Sequence, residues 1–335
     1  MILKKILTNI GPLPLIKNNF INPEYCFGKN FKIMKFGKKN PKKIFYIIRR
    51  NPGAGLFSNV TVILNHILIC KRMNFIPVID MENFKTIYNE PRPVMGINNA
   101  WEYYFEKLNK YSLAEVYKSK NVIISNSNLE NHMINDMTNN LLNKYFKLIK
   151  IKKKFYDKAN IFSKKNFKNQ KILGVHFRGS TYKVARGHAF PLTTKLIIEE
   201  VNKLIKKFGY QKIFLVTEEN DYLKEFVKEY GEKCIYYKNF RMEKADLFKI
   251  YPRKLHRFKL GEEILIDTLL LSKCNGLAYI KSNVISAAML LAKKNQKFHE
   301  FFLGYNSRNK FISRWLWYVK SCIPGFLGGL KIIKK

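Results

Sequence analysis

The chain has 335 residues, of which 47% are hydrophobic and 14% aromatic, a composition that excludes a largely disordered polypeptide and allows two domains. Lysine and arginine outnumber aspartate and glutamate by 62 to 24, so the formal charge of +38 predicts an anionic partner. Nucleic acid, lipid headgroups and phosphorylated substrates all fit that description. No RNA- or DNA-binding motif accompanies the charge, so we expect no nucleic-acid partner and keep a basic nucleic-acid-binding protein only as an alternative.

The five cysteines are widely separated and form no C-x-x-C pair. This spacing argues against a disulfide framework or a structural zinc site and favours a reducing compartment. The amino terminus has no apolar segment long enough for a signal peptide, and no run of about 18 apolar residues predicts a membrane span. We therefore expect a cytoplasmic protein.

A strand–helix–strand unit is predicted early in the chain, over residues 44–48, 59–73 and 75–79. Ser58 is the expected helix cap. The loop before the helix carries Gly53 and Gly55, and such a loop presents backbone N–H groups to an anion. Both glycines are therefore candidate ligand-binding residues, the alternative being that they only permit a tight turn.

The segment from residue 84 to 160 has weaker signals. Residues 101–105 and 141–149 are predicted helices. Residues 150–170 are dense in lysine and asparagine, and we interpret them as an inter-domain connection, with a solvated helix as the alternative.

The second half alternates short apolar strands with helices, a pattern typical of a doubly wound α/β domain with a parallel sheet. The predicted strands cover residues 172–175, 212–216, 234–237 and 276–280. The predicted helices cover residues 193–208, 260–274 and 283–293. A further helix is predicted between Asp221, its cap, and Gly231, which ends it.

Polar side chains follow three of these strands: His176 and Arg178, then Thr217, Glu218 and Glu219, and finally Ser282 and Asn283. Open α/β sheets bind ligands beyond the carboxyl ends of their strands. A guanidinium grips a diphosphate through two parallel hydrogen bonds, and the free N–H groups of a helix start attract the same anion. We expect this pair to hold a diphosphate without a metal, since no D-x-D, P-loop or G-x-S-x-G motif is present. A nucleotide-sugar transferase fits this set best.

The segment Gly174-Val-His-Phe-Arg-Gly-Ser180 resembles the H-x-R motif of GDP-fucose-dependent fucosyltransferases, the group that includes α-1,6-, nodulation and protein O-fucosyltransferases. Further segments resemble that family in the same order, at residues 214–219, 263–267 and 277–284, and residues 53–58 resemble its glycine loop.

The resemblance implies an α/β fold of GT-B type, with two Rossmann-like doubly wound domains facing a central cleft. Residues 1–165 would form the acceptor-side domain, residues 166–310 the nucleotide-sugar domain, and residues 311–335 a basic aromatic tail. It implies inverting, metal-independent transfer of fucose from GDP-fucose to a glycan or lipid-linked saccharide in bacterial surface polysaccharide synthesis, with no cofactor. A transferase for another GDP-linked sugar is the alternative.

By the same resemblance, Arg178 would bind the β-phosphate, His176 and Asp267 the guanine, and Ser282 a phosphate. The remaining donor-binding candidates are Gly53, Gly55, Thr217, Glu219 and Asn283. Each transferred role has a structural alternative: a satisfied core imidazole for His176, pairing with a lysine for Asp267, and a helix cap for Ser282.

The general base is the open position. The chain has Ser180-Thr181 where related bacterial sequences often carry an Asp, and it has no carboxylate around residues 186–190. His188 lies close to the place of the family's base, and an imidazole has a pKa suited to proton abstraction near neutral pH. Glu218 and Glu219 are the competitors, so the catalytic candidates are Arg178, His188 and Glu218.

The tail combines Trp315, Trp317 and terminal lysines. Interfacial segments have this composition, which predicts peripheral docking on an anionic inner membrane. The alternative is a helix that closes back over the core.

Overall fold

The structure is a computed structural model that describes residues 33–125, 146–179, 181–241, 247–292 and 295–330. It divides into two compact units, Met1–Phe155 with Pro252–Glu262, and Tyr156–Tyr251 with Glu263–Lys335. These bounds differ from the predicted domains, because a segment late in the chain joins the first unit and the predicted tail belongs to the second. Residues 141–145 of one predicted helix lie outside the described residues.

The first unit contains a parallel sheet whose described strands run in the order β2-β1-β3. Its elements are β1 (Phe45–Ile48), α1 (Leu56–Met73), β2 (Ile76–Ile79), α2 (Trp101–Tyr104), α3 (Leu113–Val116) and β3 (Val122–Ile124). The predicted strand–helix–strand unit is confirmed, with one correction. The helix is capped by Gly55, and Ser58 lies inside it.

The second unit alternates strands and helices throughout. Its elements are α4 (Lys153–Asn166, beginning in the first unit), β4 (Ile172–His176), α5 (Thr181–Val184), α6 (Thr194–Phe208), β5 (Lys212–Val216), α7 (Asn220–Tyr230), β6 (Cys234–Ile235), α8 (His256–Leu271, also begun in the first unit), β7 (Gly276–Tyr279), α9 (Asn283–Leu291), β8 (Lys297–Glu300) and α10 (Lys310–Cys322).

All described strand pairs of this unit are parallel, in the order β6-β5-β4-β7-β8. The chain moves from β4 outwards through β5 and β6, then returns to the other side of β4 for β7 and β8. Successive crossovers therefore leave in opposite directions between β4 and β7. That gap is the topological switch point, where open α/β sheets leave a crevice for ligands.

Local sequence explains several helix ends. Thr193 caps α6 by accepting a hydrogen bond from the N–H of Leu196, and Gly209 ends it at φ 67°. Gly231 ends α7 as predicted, but the cap residue is Glu219, and Asp221 lies in the first turn. The predicted inter-domain connection is largely α4, which buries Phe155 and Ala159, so the helical alternative is right and one face is packed.

Within the described part of the chain, no helix combines the length and the apolarity needed to cross a membrane.

Candidate functional site

The polar residues that the sequence placed after three strands lie at one edge of the second sheet. In the register, His176 is paired with Val216 of β5 and with Tyr279 of β7. The segments that follow these three residues therefore leave the sheet side by side. The chain segments that carry Arg178, Glu218 and Ser282 thus follow three adjacent strands at the same edge of the sheet.

Arg178 is partly exposed and stacks on Tyr182, with the guanidinium carbon 4.1 Å from the ring centroid. The ring of His188 lies 4.9 Å from the same tyrosine ring, centroid to centroid. Tyr182 therefore links two of the predicted catalytic residues. Sequence reasoning missed it, although its place four residues after the arginine, in a short helix, was a usable signal.

His176 ends β4 with only 3% of its surface exposed. Burial, helped by the positive charge of Arg178, lowers the pKa of this imidazole to about 3, so the ring is neutral near pH 7. Its Nδ1 atom has no hydrogen-bond partner among the described residues. The alternative of a fully satisfied core histidine is therefore wrong for this nitrogen.

His188 is exposed, in a loop that follows α5. Partial desolvation and the charge of Arg178 lower its pKa below the ordinary value of 6.5. Its backbone carbonyl accepts a hydrogen bond from the N–H of Asn306 at 2.8 Å. The loop is thus fixed to a later segment of the unit, while the imidazole is neutral at physiological pH and able to accept a proton.

Glu218 and Glu219 pack against the backbone of the H-x-R loop. Glu218 Oε1 accepts hydrogen bonds from the N–H of Gly179 at 3.3 Å and from Thr181 Oγ1 at 3.2 Å. A Cβ added to Gly179 would lie 2.5 Å from Glu219 Oε1 and 2.9 Å from Glu218 Cγ, so any larger residue here would displace both glutamate side chains. Thr181, the departure from the related sequences, thus helps to hold Glu218 in place, and Ser180 lies outside the described residues.

Asp267 lies on α8 in a buried polar cluster with Asn239 and Arg241. Its Oδ2 accepts a hydrogen bond from Asn239 Nδ2 at 2.5 Å, while Oδ1 has no partner among the described residues. Burial, with a smaller contribution from Glu263, raises the pKa of this carboxyl to about 8, against the opposing charge of Arg241. The alternative of pairing with a lysine is therefore wrong.

Arg241 connects this cluster to the end of β5. It donates from Nε to the carbonyl of Thr217 at 3.0 Å and from a terminal nitrogen to the carbonyl of Tyr237 at 2.9 Å. Desolvation lowers its pKa, and the nearby Asp267 opposes that shift. No sequence motif marks Asn239 or Arg241, since both lie in an irregular segment after a two-residue strand.

Ser282 is the cap residue of α9, and its Oγ accepts a hydrogen bond from the N–H of Ile285 at 3.3 Å. The capping alternative is therefore right. It does not exclude a phosphate, because the first N–H groups of a helix, beginning with that of Asn283, lack partners within the helix.

The glycine loop lies in the first unit. Gly53 donates its N–H to Asn51 Oδ1 at 3.1 Å, and Gly55 has φ −66°. Among the described residues, no atom lies within 4 Å of a Cβ added to Gly55, and the nearest atom to one at Gly53 is 3.8 Å away. Neither residue has a positive φ. Within the described structure, then, the turn alternative does not explain why these positions are glycine.

Among the described residues, no group of three or more His, Cys, Asp or Glu side chains could hold a metal ion. Asp80 begins the nearest approach to a D-x-D motif, and it instead accepts hydrogen bonds from the N–H groups of Glu82 and Asn83 and from Tyr117 Oη.

No family model and no curated protein matched the sequence. Solved structures do match. A structure of NodZ alpha-1,6-fucosyltransferase co-crystallised with GDP has 15% identity over 75% of this chain and 93% of its own, with a TM-score of 0.50. Fucosyltransferase NodZ from Bradyrhizobium also has 15% identity, over 75% and 94% of the two chains, with a TM-score of 0.50. POFUT1 in complex with GDP covers 78% and 99% at 10% identity, with a TM-score of 0.44. The chain therefore has a fucosyltransferase-like α/β fold, that of NodZ.

Proposed function

We propose that this chain is an inverting, metal-independent GT-B glycosyltransferase that transfers fucose from GDP-fucose to a glycan or lipid-linked saccharide in the cytoplasm. The first unit would serve the acceptor and the second the donor. The observation that carries the proposal is that Arg178 and the start of α9 follow adjacent strands, β4 and β7, on the two sides of the topological switch point. The product would be bacterial surface polysaccharide.

The diphosphate is the part of the donor that this edge suits best. Arg178 offers planar donors, and its stack on Tyr182 restricts the orientations of the guanidinium. β7, the strand next to β4, is followed by Ser282, which caps α9, and the first N–H groups of a helix attract an anion. Two positive sites that flank the diphosphate stabilise the negative charge that develops on GDP as the glycosidic bond breaks.

Guanine recognition is assigned to His176 and Asp267. His176 is a neutral imidazole with an open Nδ1, and Asp267 has an acceptor oxygen without a partner among the described residues. Guanine presents donors at its exocyclic amine and N1–H, and acceptors at O6 and N7. A buried carboxyl selects for that amine, because another base would leave the oxygen desolvated and unbonded.

The general base is assigned to His188, with Glu218 as the competitor. The neutral imidazole contacts the ring of Tyr182, on which Arg178 also stacks. The proposed base and the phosphate-binding group are therefore positioned by the same side chain. Glu218 Oε1 already accepts two hydrogen bonds from the H-x-R loop, so this oxygen is engaged in holding that loop. His188→Ala is expected to lower kcat while GDP affinity is kept.

The test is incubation of the purified chain with a panel of nucleotide sugars, with and without EDTA. Transfer or slow hydrolysis of GDP-fucose that EDTA does not affect is the expected result. Arg178→Ala should lower kcat/KM by roughly 3–4 kcal/mol of transition-state free energy, and Arg178→Lys should recover little of it. Arg186→Ala is the matched control, because this arginine is exposed in the same loop.

Activity with a UDP-sugar and none with GDP-fucose would refute the donor assignment. A preference for another GDP-linked sugar would keep the nucleotide pocket and change only the sugar. Normal turnover by a folded Arg178→Lys protein would remove the two-pronged phosphate contact from the mechanism.

A further inference from the structure

Helix α10 has two faces of different character. One face buries Ser313 and Trp317, and Trp317 is only 7% exposed. The other face carries large apolar side chains that are open to solvent, among them Phe311 at 74% and Trp315 at 69% exposure. The two alternatives considered for the tail are therefore divided between the two faces.

The inner face of α10 holds the loop that carries His188. Trp317 Nε1 donates to the carbonyl of Pro191 at 2.7 Å, and its ring clusters with Phe190 and Leu330. Asn306 Nδ2 donates to the carbonyl of Ser313 at 3.0 Å and to that of Lys183 at 3.1 Å. Trp317 is therefore a core residue, and the prediction that it contacts a membrane is wrong.

The outer face of α10 is an uninterrupted apolar ridge. At about 100° per residue, its members fall within an arc of roughly 120° that contains no charged side chain. The outer face consists of Phe311, Ile312, Trp315, Tyr318, Val319 and Cys322. Lys310 and Arg314 lie along one edge of the arc.

In the sequence, the segment that contains this ridge carries charge of one sign. From Phe301 to Lys335 the sequence contains no aspartate or glutamate. The same stretch contains the basic residues Arg308, Lys310, Arg314, Lys320, Lys331, Lys334 and Lys335. A surface that contacts this segment closely must therefore be anionic, or it would meet uncompensated positive charge.

A lipid surface fits the ridge better than a protein groove does. Trp and Tyr beside Lys and Arg are the side chains that lie at the boundary between headgroups and acyl chains. The apolar arc offers little hydrogen-bonding capacity, whereas protein interfaces surround their apolar centre with polar contacts. A fluid bilayer accommodates a convex ridge without a preformed pocket. Its anionic headgroups attract each nearby Lys or Arg side chain by about 1 kcal/mol.

We propose that the outer face of α10 docks on an anionic membrane surface. Phe311 and Trp315 would enter the headgroup layer, while Lys310 and Arg314 contact the lipid phosphates. Because the inner face of the same helix is bonded to the His188 loop, docking would hold that loop near membrane-bound acceptors. This consequence for the His188 loop rests on the proposed function. The docking itself does not depend on it, and the docking assay measures binding to vesicles rather than turnover.

The experiment uses the full chain with vesicles of phosphatidylcholine alone, and of equal parts phosphatidylcholine and phosphatidylglycerol. Flotation gives the bound fraction, and tryptophan fluorescence reports insertion directly. Of the three tryptophans, Trp101 and Trp317 are buried, so a blue shift on addition of vesicles arises from Trp315. Binding is expected with the acidic vesicles, with a blue shift, and both should weaken as salt is added.

Three variants make the test specific. The double variant Phe311→Ser, Trp315→Ser should bind acidic vesicles roughly a hundredfold more weakly, since about 1.4 kcal/mol per lost side chain is tenfold each. Trp315→Phe should keep the binding and lose the blue shift. Ile161→Ser is the matched control, because Ile161 on α4 is also 69% exposed, and it should bind as the unmodified chain does.

Equal vesicle binding by the double variant and the unmodified chain would overturn the proposal, as would equal binding to neutral and acidic vesicles. A dimer in solution that the double variant loses, without vesicle binding, would show that a second copy covers the ridge. Circular dichroism of each variant establishes that a loss of binding does not come from unfolding.

Discussion

The buried carboxyl of Asp267 gives the sharpest test of the site, because its effect on stability has a defined sign. Its pKa is raised from an ordinary value of 3.8 to about 8, so the folded chain holds this proton more tightly than the unfolded chain. The stabilisation is complete below pH 3.8 and is lost as the pH rises towards 8. Asp267→Asn keeps the shape and removes the titration.

Linkage sets the size of the effect. Between the two pKa values, each pH unit costs the wild-type chain about 1.4 kcal/mol of unfolding free energy through this one group. From pH 5 to pH 7, the stability of Asp267→Asn relative to wild type should therefore rise by roughly 3 kcal/mol. Other titrating groups are common to both proteins and cancel in the difference.

The assay is urea unfolding followed by circular dichroism at a series of pH values, with isothermal titration of GDP in parallel. The variant should gain relative stability with pH. It should also lose GDP affinity, because its single acceptor oxygen is taken by Asn239 and an NH2 donor then faces the guanine amine. Asp221→Asn is the control, since that exposed carboxylate pairs with Lys224 at 3.5 Å, a surface interaction worth less than about 1 kcal/mol. If wild type and Asp267→Asn show parallel stability profiles, the reasoning about this cluster is refuted.

In urea unfolding, Trp317→Ala should lower the unfolding free energy by about 3–5 kcal/mol, and Trp315→Ala by less than about 0.5 kcal/mol. Losses of similar size in the two variants would contradict a helix with one buried and one exposed face. Tyr182→Ala should reduce kcat/KM two- to fivefold, about 0.5–1 kcal/mol. Tyr182→Phe should keep kcat/KM, because only the ring is needed to stack on Arg178. An equal loss in the phenylalanine variant would show that the hydroxyl group matters instead. Gly174→Ala should destabilise the chain by about 1–3 kcal/mol, because its Cβ would lie 2.8 and 2.9 Å from two leucine methyl groups. An unchanged urea midpoint of unfolding would argue against that close packing.

Continuous local patterns were enough to predict much of the second unit. β5 has the bounds expected from its apolar run, because a strand buried on both faces needs apolar side chains at every position. Thr193 and Gly209 mark the ends of α6 through hydrogen bonds and backbone conformations that involve only neighbouring residues. The strand-end polar residues followed from the same pattern, since parallel strands end at one edge of the sheet.

Elements that depend on a partner could not be predicted in this way. β8 is mostly exposed and has the sequence Lys-Phe-His-Glu, which carries no strand signal; it forms because β7 offers an unpaired edge beside it. β3 is similarly short and pairs only with β1 among the described strands. Backbone pairing with a distant segment, which no local window contains, decided both elements.

The site shows the same division. The sequence was enough to name these candidate side chains: Arg178 and His176 after one strand, Asp267 on a helix, and His188 in a loop. Only the tertiary structure placed Asn239 and Arg241 around Asp267, or set the ring of Tyr182 beside both Arg178 and His188. The physical reason is that a pKa, an open hydrogen-bonding atom or the buried face of a helix depends on solvent exclusion by residues far away in the chain. Trp315 and Trp317 differ by two positions, and that packing alone made one a core residue and left the other exposed.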